Sequence, residues 1–149
     1  MNETEPWLED LPYDECLRLL RLNSVGRIAV VIDGLPIVVP VNYRLVETDG
    51  RTWVALRTRS GNVIDRAPMQ VAFEIDGVDP VHHGGWSVLV RGMQHHVDPD
   101  AADFRARFDP EPWLVDQRDS WLVVEPYAIT GRRLHPSEVE WVFHASAYL

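Results

Sequence analysis

The residue types best suited to chemistry in this sequence lie together at positions 57–62, which read Arg-Thr-Arg-Ser-Gly-Asn and are called the basic corner below. Between positions 51 and 66 four arginines accompany one acidic residue, so the local charge is +3 in a chain whose formal net charge is −9. Guanidinium groups, hydroxyls and a glycine that lets the backbone approach closely suit a phosphate monoester. The pattern therefore predicts a phosphate site at the basic corner.

A short helix is predicted directly after this corner, over residues 62–67, because Asn62 is a favourable helix N-cap and Pro68 would stop the helix. Its first N–H groups and the positive end of its dipole would point at the same phosphate. The alternative interpretation is a solvated turn whose arginines only pair with nearby carboxylates. The local charge does not decide between the two.

Covalent chemistry has few candidates in this sequence. All fourteen basic residues are arginine, so no lysine can form a Schiff base. The single cysteine, Cys16, can form neither an internal disulfide nor a cysteine-rich metal site. It falls on the buried side of a predicted helix, where a thiol is inert. The sequence also lacks the Gly-x-Ser-x-Gly, dinucleotide-binding and P-loop glycine patterns.

Two histidine doublets, His82-His83 and His95-His96, are the remaining candidates for metal binding. Adjacent residues of a strand point to opposite faces, so each doublet offers at most one ligand on a side. No suitably spaced carboxylate or cysteine accompanies them. We therefore predict no metal site and expect these histidines at the surface or in an interface.

The elements that must position these residues are mostly strands. Asp33-Gly34 and Asp49-Gly50 separate runs of β-branched residues and are strong signals for tight hairpins. Helices are predicted between Pro12 and Asn23 and over residues 99–108. Strands are predicted over residues 26–32, 36–47, 51–58, 70–76, 85–97 and 120–129, the last interrupted by Pro126.

The predicted fold is a mainly β domain with short helices. Hairpins and short loops join most of the strands, which suits a six-stranded antiparallel barrel. Residues 1–10 are predicted to be a flexible N-terminal arm, and residues 11–149 a single domain. Pro40 lies within a long predicted strand, which favours a sheet edge, a bulge or a place where something other than a neighbouring strand is bound.

The charge and length of the chain limit its partners. A net charge of −9 repels phosphates, so we expect a small molecule or another protein rather than nucleic acid or an anionic membrane. No apolar stretch approaches the roughly 18 residues of a membrane span, and the amino terminus is acidic, so a cytoplasmic protein is expected. At 149 residues the core is modest, and a second chain is expected to complete it.

Five blocks of the sequence, in order, resemble the actinobacterial branch of the pyridoxamine 5′-phosphate oxidase-like family, the FMN-binding split β-barrels. The blocks are GRIAVVIDGLPIVVPVNY, LRTRSGN, VAFEID, GWSVLVRG and ITGRR. The resemblance runs from about residue 15 to residue 133. It implies a homodimer in which FMN lies in a cleft at the subunit interface, and an FMN-dependent oxidoreductase with an unidentified small-molecule substrate and no catalytic side chain.

The same resemblance assigns cofactor-binding residues. The flavin ring would lie along residues 39–42, the phosphate would bind Arg57 and Thr58, and Ser87 would lie near the cofactor. Core and dimer-interface packing is expected for Trp86, Trp113, Trp121 and Trp141; the alternative is that a tryptophan near the cleft, here Trp86, shields the flavin ring. The assigned cofactor-binding residues are Val39, Pro40, Val41, Asn42, Arg57, Thr58, Gly61, Asn62, Trp86 and Ser87.

One departure from the family pattern affects the cofactor. Members usually read Gly-Ser-Lys in this loop, whereas here Gly61 is followed by Asn62 and Val63, so one ammonium is missing. Arg59 or Arg66 could substitute through the fork of its guanidinium. The open alternatives are the deazaflavin F420, haem or no cofactor, and a non-catalytic binding protein with the same barrel. The Arg-x-His of residues 133–135 resembles a substrate-holding motif of the oxidases, but the surrounding signature is absent, so that activity is not assigned.

Overall fold

The structure of the chain, a computed structural model, describes residues 5–98, 100–114 and 118–136. Its elements alternate little between helix and strand, because most of the sequence has the two-residue period of a half-buried sheet. In order they are β1 (Trp7–Asp10), α1 (Tyr13–Leu22), β2 (Val25–Ile32), β3 (Leu35–Thr48), β4 (Arg51–Thr58), β5 (Met69–Asp79), β6 (Gly84–His96), α2 (Ala102–Arg107) and β7 (Ser120–His135).

The strands form one antiparallel sheet that closes on itself. Its order is β1-β7-β4-β3-β2-β5-β6, and an additional pairing joins β6 to β7. Six of the strands therefore form a closed ring, and β1 extends β7 outside that ring. The predicted mainly β, antiparallel split-barrel fold is confirmed, with a seventh strand that the sequence analysis did not predict.

The amino-terminal segment is the first correction. Residues 7–10 were assigned to a flexible arm, but they pair with residues 132–135 of β7 as β1. The Trp7 ring stacks on His135 with centroids 4.0 Å apart, and His135 Nε2 lies 2.7 Å from a Glu9 oxygen. These contacts come from residues more than 120 positions away, so no local pattern marks the strand. Residues 1–4 lie outside the described residues.

The carboxyl-terminal strand is longer than predicted. It continues past residue 129 to His135, where it pairs with both β1 and β6. A register shift between Arg91 and Gly92 places Gly92 opposite Pro126. The bulge accommodates the proline, which has no N–H to donate to a regular ladder.

The helices follow the prediction in part. The helix α1 begins after Pro12 and buries Cys16, Leu17, Leu19 and Leu20 against the barrel. The Tyr43 hydroxyl donates a 2.7 Å hydrogen bond to the carbonyl of Leu20, one of the last carbonyls of α1. The helix α2 covers only Ala102–Arg107, shorter than the predicted 99–108, and Pro99 lies outside the described residues.

The predicted helix over residues 62–67 is wrong. This segment is a series of turns after Gly61, whose φ of 78° lies in the left-handed region. Asn62 Oδ1 accepts a hydrogen bond from the N–H of Ile64, and the Asp65 carboxylate accepts one from the N–H of Gly61. Side-chain acceptors thus take the amides that a first helical turn would leave open, and Ile64 is anchored in the core with 1 % exposure.

The core lies inside the ring and under α1. Alternate residues of the strands supply it, as the two-residue period predicts. Among the described residues no helix is long and apolar enough to cross a membrane. The largest fully buried side chains include Tyr43, Phe73, Leu20, Ile28, Leu56, Ile64, Ile75 and Leu122.

Candidate functional site

The candidate site lies where β3 changes its partner. Residues 35–42 of β3 pair with β2, whereas residues 43–48 pair with β4. The β3–β4 ladder ends at the pair Tyr43–Leu56, and one step further it would set Asn42 opposite Arg57. The two strands separate there instead. This separation opens a groove between the ends of β3 and β4.

Pro40 lies on the open part of β3. It sits opposite Arg27 of β2 and beyond the end of the β3–β4 ladder. A residue without an N–H is tolerated at such an edge. A sheet edge is one of the three environments that the sequence predicted for Pro40, beside a bulge and a place where something other than a strand is bound.

The groove has a volume of about 310 Å³ and brings together seven of the ten assigned residues. They come from β3, from the end of β4 and from the turn that follows it. Gly61 adjoins Asn62 but does not itself line the groove. The full lining is Val25, Val39, Pro40, Val41, Asn42, Arg57, Thr58, Asn62, Ile64, Pro112, Trp113, Leu114 and Arg118.

Arg57 is fixed at the wall of this groove by three contacts. Its Nη1 lies 3.1 and 3.2 Å from the two carboxylate oxygens of Asp109, and its Nε donates to the carbonyl of Arg118 at 3.0 Å. The guanidinium carbon lies 4.9 Å from the centroid of the Trp121 ring. The side chain is 23 % exposed, so it is held in one place yet accessible from the groove. The sequence left open whether the arginines of the basic corner pair with carboxylates, and Arg57 does so with Asp109.

Ser60 and Gly61 of the basic corner also donate to carboxylates. The N–H and the hydroxyl of Ser60 both donate to Asp119 Oδ1, at 3.2 and 3.0 Å. The N–H of Gly61 donates to Asp65 at 2.8 Å. The helix dipole expected behind Asn62 is absent, because residues 62–67 form turns. The corner is thus a folded turn, and the groove beside it is the candidate binding site.

Asp65 links this turn to the end of β6 and the start of β7. Burial opposes its ionisation, but hydrogen bonds from the Ser120 hydroxyl, the Gly61 N–H and His96 outweigh that effect and lower the pKa of the carboxyl below 3.8. The N–H and the hydroxyl of Ser60 likewise lower the pKa of Asp119. Both carboxylates are therefore charged at neutral pH, which offsets part of the positive charge predicted for this corner.

A segment that the sequence analysis did not assign to the site forms one wall of the groove. We call residues 109–114 the strap. Its Pro112, Trp113 and Leu114 line the groove, and the N–H of Trp113 donates to Asn42 Oδ1 at 2.9 Å. Trp113 is 74 % exposed beside the cavity. The only sequence signal was an aromatic residue in a proline-rich, non-periodic stretch.

Arg118 is a second arginine that sequence reasoning missed. It lines the groove, and its Nε donates to the carbonyl of Leu114 at 3.1 Å. It lies sixty-one positions from Arg57 in the chain, so only the pairing of β4 with β7 brings the two together.

Trp86 and Ser87 lie outside this groove. They are on β6, where they pair with Arg133 and Arg132 of β7. The Trp86 indole lies over Gly77, so close that a Cβ at position 77 would be 2.5 Å from its Nε1. Trp86 lines a different cavity together with His135. Within one chain, these two assigned residues are not brought to the groove.

The remaining candidates are accounted for by local contacts. Among the described residues no group of three or more potential ligands could hold a metal ion. His82 Nδ1 lies 2.7 Å from Asp79, and His96 Nε2 lies 2.9 Å from Asp65. Cys16 is fully buried, and this burial raises the pKa of its thiol, which agrees with the predicted inertness. Val63 packs against the core and does not line the groove.

The fold and the groove define an antiparallel split β-barrel in which β3 and β4 separate beyond the pair Tyr43–Leu56. The family model described as pyridoxamine 5′-phosphate oxidase matches residues 12–133, and the chain belongs to that family. The resemblance inferred from the five sequence blocks is therefore confirmed.

The relatives of the chain include proteins from mycobacteria and corynebacteria. It is 35 % identical over 133 residues to the uncharacterized protein Rv0080 of Mycobacterium tuberculosis, with 84 % of each chain covered. A solved FAD-binding protein from Mycobacterium smegmatis is 30 % identical, with a TM-score of 0.65, 87 % of this chain covered and 100 % of that one. A conserved protein of unknown function from Corynebacterium diphtheriae has a TM-score of 0.73 at 26 % identity, with 86 % and 98 % covered.

Proposed function

We propose that the groove binds a flavin, with FMN as the favoured form, and that the chain is a flavin-dependent oxidoreductase. One observation carries the proposal: a fixed, accessible arginine at the end of β4 shares one cavity with the unpaired edge of β3. The first feature suits a phosphate and the second a flat polar ring. The 30 % identical protein from M. smegmatis is described as FAD-binding, which supports a flavin as the ligand class.

The proposed division of the groove follows its chemistry. Arg57 and Arg118 would hold the phosphate by charge-assisted hydrogen bonds, with the Thr58 hydroxyl beside them. Residues 39–42 and the exposed Trp113 would flank the ring. The side chains that line the described groove include no carboxylate, imidazole, thiol or lysine. The bound flavin would supply the hydride or electron transfer, and the chain would position it and exclude water.

We also propose that the site is completed in a homodimer. The volume of about 310 Å³ is at the lower limit for ligand pockets, which start at roughly 300 Å³. Trp86 and Ser87 of the partner subunit would then reach the cofactor. The hairpin of β2 and β3 carries exposed apolar side chains at Val31, Leu35 and Val38, each more than 60 % exposed, which favours burial against a second chain. Light scattering should give about twice the 17.1 kDa of one chain.

A spectrum of the purified protein tests the ligand. We expect a yellow chromophore, or saturable binding when FMN is added, and mass spectrometry of the ligand released on denaturation would distinguish FMN from FAD, F420 and haem. Neither a chromophore nor saturable binding would contradict the proposal. An oligomeric state of one would contradict the dimer but leave ligand binding to be judged by the spectrum.

A binding protein without turnover is the second candidate. One observation favours it: the core-packed Val63 stands where family members usually carry lysine. Steady-state reduction with NADPH or reduced F420 separates the candidates. Turnover with either donor would exclude a purely binding role.

A further inference from the structure

We propose that Asp109 competes with the cofactor phosphate for Arg57, and so determines how strongly the groove distinguishes phosphorylated from unphosphorylated flavins. The inference rests on the proposed flavin function and goes beyond it, because it assigns a specificity-determining residue outside the set that the sequence predicts. The competing group belongs to the strap, not to the basic corner.

The ion pair between Asp109 and Arg57 uses a guanidinium nitrogen that a phosphate could also contact. Both oxygens of Asp109 approach Nη1 of Arg57, at 3.1 and 3.2 Å. Asp109 Oδ1 also accepts a 2.9 Å hydrogen bond from the N–H of Glu111, which holds the carboxylate in place. A guanidinium group donates hydrogen bonds to either a carboxylate or a phosphate. Asp109 is therefore already paired with the guanidinium that the phosphate would bind.

The strap contacts both strands beside the groove, which keeps Asp109 in place. The N–H of Trp113 donates to Asn42 on β3, while Asp109 contacts Arg57 on β4. The strap is thus attached to both strands that border the split. A phosphate that reaches Arg57 must either displace Asp109 or lie within a few ångströms of its negative charge.

This cost falls on one class of ligand. Like charges a few ångströms apart repel strongly where the surroundings are partly desolvated, and Asp109 is only 37 % exposed. Riboflavin has the same ring and ribityl chain as FMN but carries no phosphate, so it does not oppose Asp109. The carboxylate therefore lowers the affinity for FMN and leaves that for riboflavin nearly unchanged.

The other carboxylates of the region have different partners. Asp119 contacts Ser60, and Asp65 contacts Gly61, Ser120 and His96. None of these partners lines the groove. Asp109 is paired with a groove-lining arginine, which distinguishes it from both.

The test compares the affinities of FMN and riboflavin, measured by flavin fluorescence, for the full chain and three variants. Asp109→Asn and Asp109→Ser remove the charge in two ways, so that a folding defect in one does not end the test. Asp103→Asn is the matched control, because it removes one negative charge from α2 at a side chain that is 87 % exposed and outside the groove. Thermal unfolding identifies the folded variants.

We expect the ratio of riboflavin Kd to FMN Kd to rise about fivefold or more in both Asp109 variants and to change less than about twofold in Asp103→Asn. Binding of FMN with the same ratio in all chains would overturn this inference and leave the proposed function standing. A wild-type chain and variants that bind neither flavin would overturn both.

Discussion

The N–H of Trp113 donates a 2.9 Å hydrogen bond to Oδ1 of Asn42, which joins two residues 71 positions apart across the mouth of the split between β3 and β4. Together with the Arg57–Asp109 ion pair it fixes the strap as a wall of the groove. The strap carries an exposed aromatic ring to the groove and a carboxylate that pairs with the groove-lining Arg57. Its position therefore affects both which ligand fits and how tightly it binds.

Removing the acceptor at position 42 should loosen the strap. In Asn42→Ala we expect the amide of Trp113 to exchange with solvent at least about tenfold faster, because its hydrogen bond to the side chain is lost. Hydrogen exchange followed by NMR measures this amide directly. Asn42→Asp keeps an acceptor oxygen and serves as the control. An unchanged exchange rate in Asn42→Ala would mean that other contacts hold the strap.

Removing the guanidinium of Arg57 should weaken cofactor binding. Arg57→Ala loses a charge-assisted contact to the phosphate, and we expect the Kd for FMN to rise at least about tenfold. Fluorescence titration measures it. Arg51→Ala removes the same charge from the start of β4 at a residue that lines a different cavity, so its affinity should stay near that of the wild type. Equal affinities in both variants would place the phosphate elsewhere.

The Tyr43 hydroxyl should stabilise the junction of α1 and β3. Tyr43 is 2 % exposed and its partner, the Leu20 carbonyl, belongs to a fully buried residue. Tyr43→Phe leaves that carbonyl without this donor, and we expect the free energy of unfolding to fall by about 1 to 3 kcal/mol. Urea denaturation measures the change. Tyr127→Phe, at a ring that is 64 % exposed, should have almost no effect. A Tyr43→Phe chain as stable as the wild type would show that water satisfies the carbonyl.

Gly131 should be required for close packing of α1 on β7. A Cβ at this position would lie 2.7 Å from Cys16 Sγ and 3.1 Å from the carbonyl oxygen of Ser87. We expect Gly131→Ala to lower the free energy of unfolding by about 1 to 3 kcal/mol, because the core must shift to admit the methyl group. Adding Cys16→Ala should restore part of the loss, and Cys16→Ala alone supplies the reference for the double-mutant cycle. Simple additivity of the two changes would contradict the proposed clash.

Asp65 should contribute stability that depends on pH. Its pKa is lower in the folded chain than the unperturbed 3.8, so the unfolded chain binds the proton more tightly. The stabilisation is therefore complete above 3.8 and is lost as the pH falls through the lowered pKa of the folded state. We expect Asp65→Asn to be less stable than the wild type near neutral pH and the difference to shrink on acidification. Urea midpoints measured from about pH 7 to about pH 3 check this. A difference that is constant with pH would contradict it, and Asp103→Asn controls for net charge.

Local sequence signals determined most of the barrel. Asp33, Gly34, Asp49 and Gly50 all have positive φ, between 50° and 78°, which is the backbone that a two-residue hairpin of this kind requires. The turn conformation and the two-residue alternation of core side chains are both set by residues that are adjacent in the chain. The hairpin at Asp49-Gly50 sets β4 beside β3, whereas the grouping of residues 39–42 with Arg57 and Thr58 was implied by the family resemblance.

The tertiary structure alone decided the electrostatics and the far wall of the site. Between positions 51 and 66 the sequence contains four arginines and one acidic residue, Asp65. Folding brings Asp109 and Asp119 to the basic corner and Arg118 to the groove. It likewise turned residues 7–10 into a strand, through pairing with residues 132–135. These outcomes depend on groups that lie more than fifty positions apart for Arg57 and Asp109, and Coulomb energy depends on distance in space. Proximity along the chain carries no information about such pairs.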